Sequence, residues 1–211
     1  MRWLGHVVRS GVVGAVWVLP ACEREEGKTT RNERPGGGVA RLESAEVLRA
    51  RATIMGPGIK GDVTLVELKG NLPEPGVEIE ARITGQVDIL TPGPHGFHIH
   101  ENARGGCLPP YTSAGGHFDP GPSGNPDPDT NHPYHMGDIP NLVVDEKGVG
   151  VMEAMTSRIT LSPGPLSVFD ADGSVIIVHQ KPDQGITGPP RSGVSGGPRI
   201  ACGVIEVTPE D

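Results

Sequence analysis

Hydrophobic and polar positions alternate with a period of two in several short windows. Val77, Ile79, Ala81 and Ile83 interleave with Glu78, Glu80 and Arg82, the pattern of a strand with one buried face. Val63 and Leu65 interleave with Thr64 and Val66 in the same way. Phe97 and Ile99 alternate with His98 and His100, and Val149 and Val151 lead into a further apolar window ending at Met155. Val175, Ile176, Ile177 and Val178 form a continuous β-branched run, as expected of a strand buried on both faces. Turn residues punctuate the windows at 56–58 (GPG), 73–76 (PEPG), 145–148 (DEKG) and 170–173 (DADG). Short strands with such turns predict an antiparallel sandwich or barrel. Residues 101–140 and 180–198 carry no strand pattern, and loops of that length within a domain are usually functional.

The N-terminal region follows a different pattern. Arg2 and Arg9 flank the start of an apolar run at 11–19 (GVVGAVWVL), which is short for a permanent membrane helix. Residues 1–21 read as an export signal, and Leu19-Pro20-Ala21-Cys22 resembles a bacterial lipobox, implying cleavage before Cys22 and lipidation of that residue. Residues 22–44 mix charges with Gly and few apolar side chains, so they read as a flexible tether. The domain is expected over 45–208, with a tail at 209–211. The expected address is a membrane-anchored lipoprotein facing the periplasm or the cell exterior, where disulfides can form.

Composition narrows the classes. Gly (32) and Pro (22) make up about a quarter of the 211 residues, which argues against a helical protein. Aromatic residues are 3% and the net charge is −8, so neither base stacking nor phosphate neutralisation is expected and no nucleic-acid partner is predicted. Loss of the export signal removes two Arg, leaving 16 basic against 26 acidic side chains, a net charge of −10. Membrane contact would then run only through a lipid on Cys22.

Seven of the eight His lie between 95 and 179. His98 and His100, spaced i, i+2 on a strand, project from one face and can chelate one ion. His117, His132, His135 and Asp138 follow in the first long loop, and His179 ends the apolar run at 175–178. Imidazole-rich sites suit copper and zinc, and an added carboxylate suits zinc.

Residues 96–101 (GFHIHE), 113–120 (SAGGHFDP), 135–138 (HMGD), 178–181 (VHQK) and 199–205 (RIACGVI) resemble the copper/zinc superoxide dismutase family in order and spacing. The resemblance covers roughly residues 48–207. It implies an eight-stranded Greek-key β-barrel with two long functional loops. It also implies that His98, His100 and His179 bind copper, that His117 bridges copper and zinc, and that His135 and Asp138 bind zinc. Asp183 would hydrogen-bond a copper His and a zinc His. Arg199 would attract superoxide over the copper, and Cys107 and Cys202 would form the intradomain disulfide.

The first loop departs from the family pattern. The family has another His about eight residues after the bridging one, where this chain reads PSGNP (122–126). His132 is the expected substitute in a rearranged loop. Asp127 or Asp129 is an alternative ligand, and weak or absent zinc is a third outcome. The second loop, 180–198, holds only Lys181, Asp183 and Arg191 as charges, and Arg191 reads first as a solvated loop residue. His95 reads as a hydrogen-bonding structural residue. The expected function is dismutation of superoxide to dioxygen and hydrogen peroxide, with copper cycling beside zinc. The alternative is an exported copper-binding, buffering or delivery protein without turnover. A zinc hydrolase lacks a nucleophile, although Glu101 follows His100. The oligomeric state is left open.

Overall fold

The computed structural model describes residues 47–68, 76–121 and 127–209. The export signal, Cys22, the tether and most of the turn at 73–76 lie outside the described residues.

Nine strands follow in order: β1 (Val47–Gly56), β2 (Ile59–Leu68), β3 (Val77–Gly85), β4 (Gly93–His95), β5 (Phe97–His100), β6 (Leu142–Val144), β7 (Val149–Thr156), β8 (Val175–His179) and β9 (Arg199–Val207). Among the described residues the remaining regular element is one 3-10 turn at Thr112–Ala114. All pairings are antiparallel, in the order β4-β6-β7-β3-β2-β1-β9-β8-β5. The edge strands β4 and β5 are separated only by Gly96, so one chain segment supplies both edges and the barrel is nearly closed. The count is nine rather than the expected eight because Gly96 leaves the β4 ladder. Its N–H donates to the Lys181 carbonyl and its carbonyl accepts the His179 N–H. The connections from β3 to β4 and from β7 to β8 skip neighbours in Greek-key fashion.

The barrel interior follows the alternation. Val77, Ile79, Ala81 and Ile83 of β3 are buried while Glu78, Glu80 and Arg82 are exposed. Pro57 and Gly58 close the β1–β2 hairpin, and Gly58 takes φ 67°, which glycine adopts without a Cβ penalty. In β8, Ile176 and Val178 enter the barrel core, whereas Val175 and Ile177 pack on Tyr111, Ala114 and Cys202 beneath the first long loop. That second covering explains the unbroken apolar run.

β5 is covered in the same way. Phe97 and Ile99 lie in the barrel core, and His98 and His100 point to the other face, also fully buried. β8 pairs with one edge of β5. The first long loop docks on the other. Ile99 N–H donates to the Gly137 carbonyl at 3.0 Å, and the Ile99 carbonyl accepts Phe118 N–H at 2.8 Å. A Cβ on Gly137 would strike the Ile99 carbonyl, so the residue between Met136 and Asp138 must be glycine for this approach. The docking pairs His98 with Asp138 and His100 with His117 across the strand edge.

Candidate metal centre

The strand and its docked loop bring two groups of ligand atoms together. His98, His100, His117 and His179 form one, and His117, His132, His135 and Asp138 form the other; within each, the candidate atoms lie within 4.8 Å of one another. All seven side chains are buried. His117 belongs to both groups, with its ring centroid 4.2 Å from that of His98 and 5.3 Å from that of His135.

The hydrogen bonds fix which ring nitrogens are free. His100 Nδ1 donates to the Gly115 carbonyl at 3.2 Å, and His179 Nδ1 donates to the Gly197 carbonyl at 3.0 Å. Their Nε2 atoms, both left as acceptors, face each other at 3.4 Å. Two facing lone pairs with no proton between them suit a shared cation. His98 Nε2 donates to Asp183 Oδ2 at 3.0 Å, and His98 Nδ1 is buried without a hydrogen-bond partner. His117 Nε2 is also without one, while His117 Nδ1 lies 2.5 Å from Asp138 Oδ1. The four candidate atoms of the first group thus lie within 4.8 Å of one another, and His117 turns its other nitrogen to Asp138.

The second group is arranged similarly. His132 Nε2 donates to Asp183 Oδ1 at 2.6 Å, which turns Nδ1 toward Asp138 Oδ1 at 3.2 Å without a formed hydrogen bond. His135 Nδ1 is 3.1 Å from Asp138 Oδ2. Among the expected alternatives, the structure brings His132 to this group. Asp129 instead turns to the second loop, where it accepts from Gly193 and Ser195, and Asp127 accepts the N–H groups of Asp129 and Arg191. Asp183 joins the two groups through His98 and His132, and Asn141 pins its backbone by two bonds of 2.9 Å.

Electrostatics match the geometry. Burial lowers His98 and His117 to about 4 and His179 to about 3, and lowers His100 well below its ordinary value. These rings are therefore neutral near pH 7, the protonation state a metal ligand needs. Burial also pulls His132 down, but the Asp138 and Asp183 carboxylates outweigh it and raise His132 to about 9. Burial opposes ionisation of Asp138 and Asp183, yet the surrounding imidazoles hold both far below the usual carboxylate range. The carboxylates thus demand a positive charge beside His132, which a proton supplies when no metal does.

A cavity of about 600 Å³ reaches His179 of the first group. His179 and Arg199 line it, with Pro128, Asp129, Gly193 and Ser195 in the wall and Arg191 at the exposed rim. Arg199 donates to the Tyr111 carbonyl at 2.6 Å and to the Gly115 carbonyl at 2.5 Å, so its guanidinium is locked. Gly115 also accepts from His100, which ties the arginine to the first group. Cys107 and Cys202 form a disulfide with a Cα–Cα distance of 5.3 Å and a separation of 95 residues. It anchors the Arg199-bearing strand to the loop that holds the arginine, and closing a loop of that length stabilises a fold by about 3–5 kcal/mol. His95 is structural as expected, with Nδ1 2.8 Å from the His179 carbonyl and Nε2 2.7 Å from that of Thr91. Glu101 accepts Gly116 N–H at 2.9 Å and is not aimed at the ligand atoms.

The family model for copper/zinc superoxide dismutase matches residues 59–205. The chain belongs to the copper/zinc superoxide dismutase family. Superoxide dismutase [Cu-Zn] of Deinococcus radiodurans is 40% identical over 139 residues, covering 61% of this chain and 71% of its own. Superoxide dismutase [Cu-Zn] 1 of Salmonella typhimurium is 35% identical over 131 residues, covering 58% and 69%. A solved structure of the clock protein EA4 superposes with a TM-score of 0.58 at 29% identity, covering 76% of this chain and 94% of its own. The chain is a superoxide dismutase of the copper/zinc type, its substrate is superoxide, and its cofactors are those of the family. The Nε2 atoms of His100 and His179 and the unpartnered nitrogens of His98 and His117 fit a copper ion. The His132, His135 and Asp138 set fits zinc.

Proposed function

We propose that His98 Nδ1, His100 Nε2, His179 Nε2 and His117 Nε2 hold copper, and that His117 Nδ1, His132 Nδ1, His135 Nδ1 and Asp138 hold zinc. The observation that carries this reading is the pair of facing Nε2 acceptors on His100 and His179, with two unpartnered buried imidazole nitrogens beside them. Bound copper supplies one-electron redox, oxidising one superoxide to dioxygen and reducing a second, which with two protons gives hydrogen peroxide.

The protein's own groups set the rest of the reaction. Arg199, locked by two carbonyls in the cavity lining, draws the superoxide anion to the ligand group and holds it there. A net charge of −10 on the mature chain repels anions at long range, so this local cation decides approach. His117 Nε2 faces the first group and would carry a proton to reduced substrate only while it is not engaged by copper. Asp138, bonded to the other nitrogen of His117, raises the basicity of that ring against the lowering effects of burial, His179 and His135. Asp183 keeps Nδ1 of His98 and Nδ1 of His132 free by accepting from the other nitrogen of each ring.

Metal analysis of the purified protein tests the ligand sets. One copper and one zinc per chain are expected, with copper lost in His100→Ala and zinc lost in His135→Ala. Retention of full copper by His100→Ala would overturn the assignment.

The same reading includes export. Residues 1–21 are removed and Cys22 is lipidated, which leaves the domain on a tether in the periplasm or at the cell exterior. The lipobox-like LPAC sequence supports this. Mass spectrometry of the mature N-terminus decides it: an acylated Cys22 is expected, and an unmodified Cys22 or cleavage elsewhere contradicts it.

A further inference from the structure

Asp129 is a buried carboxylate in neither ligand group, and its bonds run to the other loop. Oδ2 accepts Gly193 N–H at 2.7 Å, and Oδ1 accepts Ser195 N–H at 3.0 Å and Ser195 Oγ–H at 2.7 Å. Its own carbonyl accepts Gly188 N–H at 2.8 Å. Four donors from 188–195 thus converge on a single residue three positions before His132. Burial alone would raise its pKa, but the Gly193 and Ser195 donors outweigh burial and hold the group below its ordinary range, so it stays charged.

The segment it grips reaches the chemistry directly. Ser195 leads into Gly196 and Gly197, at φ 108° and 66°. A Cβ on Gly196 would lie 2.7 Å from His179 Cβ, so this backbone packs against the His179 ring. The Gly197 carbonyl accepts from His179 Nδ1 and thereby keeps Nε2 free, and Arg199 follows two residues later. Asp129, Gly193, Ser195 and Gly197 also line the cavity that exposes His179 and Arg199.

We propose that Asp129 is a positioning residue for the dismutation. Its buried carboxylate latches the first loop to residues 193–195, which fixes the cavity wall and, through Gly197, the orientation of His179. The latch also couples the two sites: ordering the loop at His132 orders the wall of the copper channel. This inference rests on the ligand assignment proposed above.

Asp129→Asn tests it, because one acceptor becomes an amide N–H facing donors. Three readouts separate the latch from that assignment. They are metal content, azide affinity followed by the copper absorption band, and hydrogen exchange at the Gly193 and Ser195 amides in both loaded and metal-free protein. The variant is expected to keep one copper and one zinc per chain. Exchange at the two amides should accelerate about tenfold as the local opening becomes easier. Azide should bind several-fold more weakly, because the cavity wall and His179 are no longer held. Ser195→Ala removes one of the three carboxylate bonds and should show the same changes at smaller size; it decides the matter if Asp129→Asn does not fold. Unchanged exchange and unchanged azide affinity in a folded variant overturn the latch. Wild-type protein that binds neither copper nor azide overturns the ligand assignment instead, and the metal-free exchange still decides the latch.

Discussion

His132 donates its Nε2 proton to Asp183 at 2.6 Å, while its other ring nitrogen points at Asp138. One bond therefore places an imidazole three residues before His135 into the group that the family completes from a more distant position. If His132 is a zinc ligand, His132→Ala removes most bound zinc and leaves copper near one per chain. The zinc affinity should fall by more than the roughly 10–100-fold typical of losing an outer partner. Full zinc retention in elemental analysis would leave this His in a structural role.

Asp183 reaches His98 and His132 with separate oxygens. Asp183→Asn keeps the shape but cannot accept from both rings. Both metals should bind about 10–100-fold more weakly, measured by chelator competition. Loss confined to one metal would show that the bridging carboxylate serves only that side.

The metal-free protein should lose stability on acidification. His98 and His117 sit near 4 and His179 near 3, against 6.5 when unfolded. Between those values the unfolded chain binds more protons, so stability is present above about pH 6.5 and falls as pH drops toward 4. His132 has the opposite sign. Raised to about 9, it contributes fully below pH 6.5 and its contribution is lost as pH rises through 9. Urea midpoints of the metal-free chain should therefore peak near neutral pH and fall on both sides. Zinc must also displace the His132 proton, so its apparent affinity should rise with pH up to about 9.

Arg199 and Arg191 both line the cavity, but Arg199 is half-buried and locked by two carbonyls whereas Arg191 is exposed. Arg199→Ala should lower kcat/KM by about tenfold or more and flatten its dependence on ionic strength. Arg191→Ala, at the exposed rim, should cost less than Arg199→Ala. Equal losses in stopped-flow assays across a salt series would show that Arg191 steers as strongly as Arg199.

Much of the barrel was readable because β3 alternates large apolar and charged side chains, and the His98–His100 spacing announced a chelating strand. β1 was not readable by the same rule. Its inward positions include Ala50 and Ala52, too small to stand out between Arg49, Arg51 and Thr53. β4 and β6 have three residues each, too few to show a period. β7 is ambiguous because Val151 and Met155 are apolar yet exposed. At the site, ligand residue types were visible along the chain. The docking of 117–118 and 137–138 on the edge of β5, which assembles them, was not. Nor was the Asp129 latch, whose partners lie 64 and 66 residues away and are mostly backbone N–H groups that leave no mark on side-chain identity.

Superoxide decay followed by stopped flow, on purified protein carrying one copper per chain, tests the central claim most directly. The ligand assignment predicts fast decay that disappears in His179→Ala, which removes one of the two facing Nε2 atoms. Decay no faster than in buffer, with copper confirmed in place, would contradict it and leave a protein that holds copper without turning over superoxide.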